Sequence, residues 1–224
     1  MRPVVTFDLF SALVDSRAGG SAVFAELGTR RGWPLSGAEV YDAWDGLNKA
    51  AQRDCQSWVP YATLAEDALA RAYGQLGVDG DPPGDLAMLL ASLPRWPLWP
   101  DVSTGLSALS RRHPIGLLSN VDDAMFSRTR AAQFFEPEHV FTSQRLGVYK
   151  PDPRIYERAR AQCGSLVHVA TSARDVRGAL EAGIRVIRLR RPGHRLDTEG
   201  PEPTHQAASL AELAELLAED PWRE

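Results

Sequence analysis

Cysteine is scarce in this chain: Cys55 and Cys163 are the only two in 224 residues. Two cysteines make neither a disulfide framework nor a paired-cysteine metal site. Long apolar runs are missing as well, and none approaches the ~18 residues that span a bilayer. Nor is there an excess of one charge, with 25 Lys and Arg against 29 Asp and Glu and a formal net charge of -4. Such a balance offers no electrostatic footprint for nucleic acid or an anionic membrane. The start, Met1-Arg2-Pro3 running into Val4-Val5-Thr6-Phe7 and the acidic Asp8, has no signal-peptide core. A cytoplasmic enzyme acting on a small molecule is therefore expected. What is present is ordinary for a globular protein, 44% apolar and 24% charged residues, apart from six tryptophans.

Local patterning divides the chain. Pro3 to Phe7 is short, apolar and β-branched, which predicts a buried strand ending at Asp8. From about Gly20 to Asp85 the spacing is helical. Ser36 and Glu39 form a capping-box pair, and Leu64, Ala68, Ala72 and Leu76 recur on one helical face. The prolines from Pro82 to Pro100 punctuate the end of that region. Strands then alternate with helices. Strands are expected at 115–118, 139–142, 166–170 and 185–189, and helices at 104–112, 122–133, 152–163, 175–182 and 209–217. Residues 190–203 are expected to form a loop. This alternation predicts an α/β fold, a Rossmann-like doubly wound parallel sheet with helices on both faces. The expected boundaries are a core of residues 1–15 and 98–224 and an all-helical insertion of residues 16–97.

Four stretches then fall into order. They are Val5-Thr6-Phe7-Asp8-Leu9-Phe10-Ser11-Ala12, Leu117-Leu118-Ser119-Asn120, Val148-Tyr149-Lys150-Pro151-Asp152, and Val169-Ala170-Thr171-Ser172-Ala173-Arg174-Asp175 followed by Gly178-Ala179. With them the chain resembles the haloacid dehalogenase superfamily, and within it the 2-haloacid dehalogenases, over nearly its whole length. The resemblance implies that the helical insertion is a cap. It implies that Asp8 is a nucleophile whose attack forms an ester that water then hydrolyses. It gives Lys150 the part of the cation that orients Asp8, and Asp175 a part in activating the water. Ser119 and Asn120 match positions that hold the attacked group, and Phe10, Ser11 and Ser172 line the same place. Trp44 and Trp58 match aromatics over the nucleophile. A homodimer is implied by the resemblance alone.

The departures decide between chemistries. A phosphatase of this superfamily carries a second Asp two residues after the nucleophile, which protonates the leaving alkoxide. Here that residue is Phe10, as in the dehalogenases, whose halide leaves without a proton. The first acidic position of the fourth motif, a magnesium ligand in the phosphatases, is Ala170. Magnesium held by Asp8 and Asp175 is therefore disfavoured. The dehalogenase pattern is broken as well. Ser11-Ala12 replaces Gly-Thr, and Asp45 stands where a cap arginine would grip a haloacid, leaving Arg30 and Arg31 as nearby cations. His168, inside a strand, is expected to be a packed core residue, and both cysteines are expected to be structural. The leading expectation is a hydrolase with an aspartate nucleophile and a dehalogenase-like site. The alternatives are an unusual magnesium-dependent phosphatase and a degenerate binding protein.

Overall fold

The computed structural model describes residues 2–196 and 200–219, so Trp222 lies outside the described residues. The first strand, β1 (Val4–Phe7), is apolar and buried throughout. Four helices follow: α1 (Ser16–Arg31), α2 (Gly37–Asp54), α3 (Tyr61–Leu76) and α4 (Pro82–Ala91). The remainder alternates: α5 (Val102–Leu109), β2 (Ile115–Ser119), α6 (Asp123–Ser127), β3 (Val140–Thr142), α7 (Ser143–Leu146), α8 (Pro153–Cys163), β4 (Leu166–Ala170), α9 (Ala173–Glu181), β5 (Arg185–Leu189), β6 (His205–Ala207) and α10 (Leu210–Ala218).

The six strands form one sheet in the order β3-β2-β1-β4-β5-β6, and every neighbouring pair is parallel. β1 is central, and the chain leaves it toward β2 on one side and β4 on the other. Where the strand order reverses, the loops after adjacent strands splay apart and open a crevice at the carboxyl ends. Asp8 directly follows β1, Asn120 follows β2 and Thr171 follows β4. Three segments distant in sequence therefore deliver polar side chains to one edge.

Local rules explain most boundaries. Ser36 caps α2 in a complete capping box with Glu39, and Ser209 caps α10 through the Glu212 N–H. Pro82-Pro83 starts α4 instead of ending a helical region, because the first turn of a helix needs no proline N–H. The helix expected at 122–133 stops at Ser127. The Phe126 carbonyl accepts from both the N–H and the hydroxyl of Thr129, at 2.9 and 2.8 Å, which takes it out of the helical ladder. The β6 strand was not expected, since His205-Gln206-Ala207 is three residues long and mostly polar. Gly178 lets α9 approach the third motif, because a Cβ there would lie 2.8 Å from the Pro151 Cβ. Among the described residues, no helix is long and apolar enough to cross a membrane.

Candidate active site

The crevice is a cleft of about 710 Å³ between the strand ends and helices α1 and α2. Its floor holds Asp8, whose side chain is 11% exposed. Two donors converge on the Asp8 Oδ1: Lys150 Nζ at 2.8 Å and Ser119 Oγ at 3.0 Å. Among the described residues Oδ2 has no protein donor, which leaves its lone pairs toward an incoming electrophile.

Lys150 is shared. Its ammonium also donates to Asp175 Oδ2 at 2.5 Å and to the Leu118 carbonyl at 3.0 Å. Burial opposes its charge, but Asp175 and Asp8 outweigh that and raise its pKa above the ordinary lysine value. Asp175 is held from three sides. Besides Lys150, the Tyr156 hydroxyl donates to its Oδ1 at 2.8 Å, and His168 Nε2 lies 3.1 Å from both carboxylate oxygens. Burial would raise the Asp175 pKa, yet the charge of Lys150 and the contact with His168 overcome it and push the carboxyl well below the carboxylate range.

His168 is buried as expected of a core residue, but it is also a polar strut. Its Nδ1 meets the Thr6 hydroxyl at 3.0 Å, so it joins β1 to Asp175. Sequence reading missed this, and the available signal was a histidine at an inward position of an otherwise apolar strand. Ser172 caps α9, accepting from the Asp175 N–H. Asn120 is a strut too. Its amide accepts from the Lys150 N–H at 2.7 Å and donates to the Lys150 carbonyl and to Gln52 Oε1, both at 3.0 Å. Gln52, on α2, was also missed.

The loop after Asp8 is clamped from outside. Ser11 has a left-handed φ of 71°. That conformation costs a non-glycine residue about 1–3 kcal/mol unless its surroundings enforce it. Trp99 Nε1 donates to the Ser11 carbonyl at 2.9 Å, and Arg191 Nε donates to the Ala12 carbonyl at 3.0 Å. Arg191 lies over the Trp99 ring and ion-pairs with Asp101. These donors hold the turn where Ala12 offers no hydroxyl.

The structure brings Asp8, Phe10, Ser11, Asp45, Ser119, Asn120, Lys150, Ser172 and Asp175 to one cleft. The two tryptophans are not among its lining residues. Trp44 is buried in packing, with Phe24 and Tyr41 against its ring and Nε1 donating to the Ala65 carbonyl. It borders a neighbouring void of about 30 Å³, which Phe10 also touches. Trp58 lines neither space. Arg30 pairs with Glu26 and Arg31 with Asp85, and neither faces the cleft. His194, from the loop after β5, does face it. Burial and then Lys49 lower the His194 pKa, against Asp45 and Asp8, which favours the neutral ring.

The donor set does not suit magnesium. Ala170 supplies no ligand atom, Phe10 supplies none, and the Lys150 ammonium stands between the oxygens of Asp8 and Asp175. Among the described residues no group of three or more His, Cys, Asp or Glu side chains could hold an ion.

A parallel doubly wound sheet with a lysine-held aspartate at its central strand end makes a Rossmann-like core with a carboxylate poised at its crevice. The comparisons specify which kind: the haloacid dehalogenase-like hydrolase model matches residues 3–183, and the chain belongs to that family. It is 28% identical over 226 residues to an (S)-2-haloacid dehalogenase of Pseudomonas sp. (strain YL), covering 95% of this chain and 93% of that one. It is also 28% identical over 199 residues to the pyrimidine 5'-nucleotidase YjjG of Escherichia coli (strain K12), covering 80% and 83%. An L-2-haloacid dehalogenase structure from Xanthobacter autotrophicus, with chloropropionic acid covalently bound, superposes with a TM-score of 0.81. That match covers 98% of this chain and 100% of the other at 21% identity, a likeness of fold.

Proposed function

We propose that this hydrolase breaks a carbon–halogen bond of a small 2-halocarboxylate through an ester on Asp8, with residues 16–97 acting as a cap over the cleft. The observation that carries the reading is the replacement of phosphatase chemistry by Phe10, Ala170 and the Lys150 bridge. Phe10 packs on Trp96 with ring centroids 5.6 Å apart and can neither give nor take a proton. A leaving halide needs none, whereas an alkoxide leaving from a phosphate ester does. The cleft also carries five aspartates against four lysines and arginines, a poor balance for a phosphate dianion without a metal.

In this reading the free Asp8 Oδ2 attacks the carbon bearing the halogen. The new C–O bond forms as the C–X pair departs with the halide. Lys150 and Ser119 hold Oδ1 and fix the approach of the carboxylate. Water then adds to the Asp8 carboxyl carbon, and the ester C–O bond on the acyl side breaks. That releases the 2-hydroxy acid and regenerates Asp8. Asp175 orients Lys150, and the ring of His194, which lines the cleft, takes a proton from the attacking water and passes it to the departing oxygen of the 2-hydroxy acid.

The test is a single turnover of 2-chloropropionate in heavy-oxygen water with enzyme in excess. The label is expected in the Asp8 carboxylate and not in the lactate. Label appearing directly in the first lactate would overturn the ester. Asp8→Asn is expected to lower turnover by on the order of 10⁴-fold, and full activity in that variant would end the proposal. Turnover of phosphate esters that requires magnesium would favour the phosphatase reading.

A further inference from the structure

The sequence raises a question that the fold alone leaves open: which cation grips a carboxylate substrate when Asp45 occupies the expected arginine position. We infer that Arg174, in the fourth motif, is the carboxylate anchor of this cleft, and that the ligand it selects is a monocarboxylate. The inference rests on the proposed function for the reacting end of the substrate and adds the residue that reads the other end.

Elimination among the cleft-lining cations carries the argument. Arg17 makes two bonds to Asp42, at 2.8 and 2.7 Å. Lys49 pairs with Asp45, one turn away on α2. Lys150 is divided between Asp8 and Asp175. Arg174 remains, and among the described residues it has no carboxylate partner. Its Nη1 donates to the main-chain carbonyl of Lys49 at 2.6 Å. A guanidinium has five N–H donors in a planar fork, so this bond fixes the group across the cleft and leaves donors for a bidentate carboxylate. Arg174 is half-buried and immediately precedes Asp175, which shares Lys150 with the nucleophile. Arg174 and the reacting carboxylate of Asp8 both line the same cleft.

The same elimination sets the ligand's charge. Arg17, Lys49 and Lys150 each already hold a carboxylate, so Arg174 is the one lining cation among the described residues with its fork left for a ligand carboxylate. A dicarboxylate would place its second charge against Asp42 and Asp45, whose own cations are already engaged.

The test uses unreactive ligands, so it does not depend on dehalogenation. Binding of L-lactate and of its neutral analogue L-lactamide to the full chain would be measured by titration calorimetry. The unsubstituted protein is expected to prefer lactate by about ten- to hundredfold, the range for a charge-assisted bond. Arg174→Gln should erase that preference while leaving lactamide binding unchanged, and Arg174→Lys should keep part of it. In the unsubstituted protein, lactate but not lactamide should shift the Arg174 Nε–H resonance, a readout that needs no variant to fold. Equal binding of the two ligands, no measurable lactate binding, or an undiminished preference in Arg174→Gln would each overturn the inference. A preference that depends on Arg174 in a protein that turns over no haloacid would overturn the proposed function and leave the anchor standing.

Discussion

The molecule holds two buried carboxylates in nearly the same way, one in each of its regions. Asp175, on the sheet side, is gripped by Lys150, the Tyr156 hydroxyl and His168. Asp85, among the helices of 16–97, is gripped by Arg31, the Tyr73 hydroxyl at 2.8 Å and the Asp81 N–H at 3.1 Å. In both, burial pushes the pKa up and the partners win, lowering it. The difference lies in the cation. Among the described residues Arg31 serves Asp85 and no second carboxylate, whereas Lys150 also holds Asp8, which opens into the cleft. A satisfied buried carboxylate is thus a structural device in either region. It becomes part of a site where its cation is shared with a carboxylate that substrate can reach.

The cations test this difference most severely. Lys150→Met leaves Asp8 and Asp175 as adjacent buried carboxylates without a counter-charge. It is expected to cost about 3–5 kcal/mol in urea unfolding and to abolish turnover. Arg31→Met strands one carboxylate, and the arginine it replaces is 31% exposed. A loss of about 1–3 kcal/mol with unchanged turnover per folded molecule is expected there. Equal effects of the two variants on turnover would erase the distinction.

Protonation tests the carboxylates themselves. A carboxyl whose folded pKa lies below its unfolded value adds stability above the unfolded pKa and loses it as pH falls through the folded one. Both groups start from 3.8, so both contributions fade below about that pH. Asp175→Asn and Asp85→Asn should each flatten the acid limb of stability measured by urea unfolding at stepped pH. Only Asp175→Asn should also slow turnover near neutral pH, because only there does the carboxylate orient the lysine at the nucleophile. An unchanged acid limb in either variant would remove that carboxylate from the account.

The fold was largely legible in sequence because its rules are local. Apolar strands ending in polar residues and the Ser36 and Ser209 caps appear wherever the pattern demands them. The polar set at the strand ends was legible through motif order, and it does converge. The contacts that organise the set were hidden, since they join residues far apart in the chain. Thr6 to His168, Gln52 to Asn120, and Arg191 to Ala12 are of this kind. Sequence patterning gives a side chain's face but not its distant partner, and a histidine facing inward on β4 reads the same with or without a carboxylate above it. Trp44 misled for the converse reason: an aromatic on α2 near the cleft is equally suited to packing, and packing with Phe24 and Tyr41 takes it.

The smallest expected effects come from the two tyrosines, and they discriminate most finely. Tyr156→Phe and Tyr73→Phe each delete one hydroxyl donor from a buried carboxylate and leave the ring in place. Each should lower stability by about 1–2 kcal/mol, the range for a bond to a charged acceptor in which the acceptor keeps other donors. The hydroxyl of Tyr156 lies on Asp175 Oδ1, opposite the oxygen that holds Lys150. Its loss lets the carboxylate draw more strongly on Lys150 and weakens the ammonium's hold on Asp8. A modest fall in kcat with little change in KM is therefore expected for Tyr156→Phe. Tyr73→Phe should change neither constant, because Asp85 has no path to the cleft through a shared cation. If both tyrosine variants leave kinetics untouched while the stability losses appear, Asp175 acts on the fold alone, and the parallel between the two carboxylates is complete.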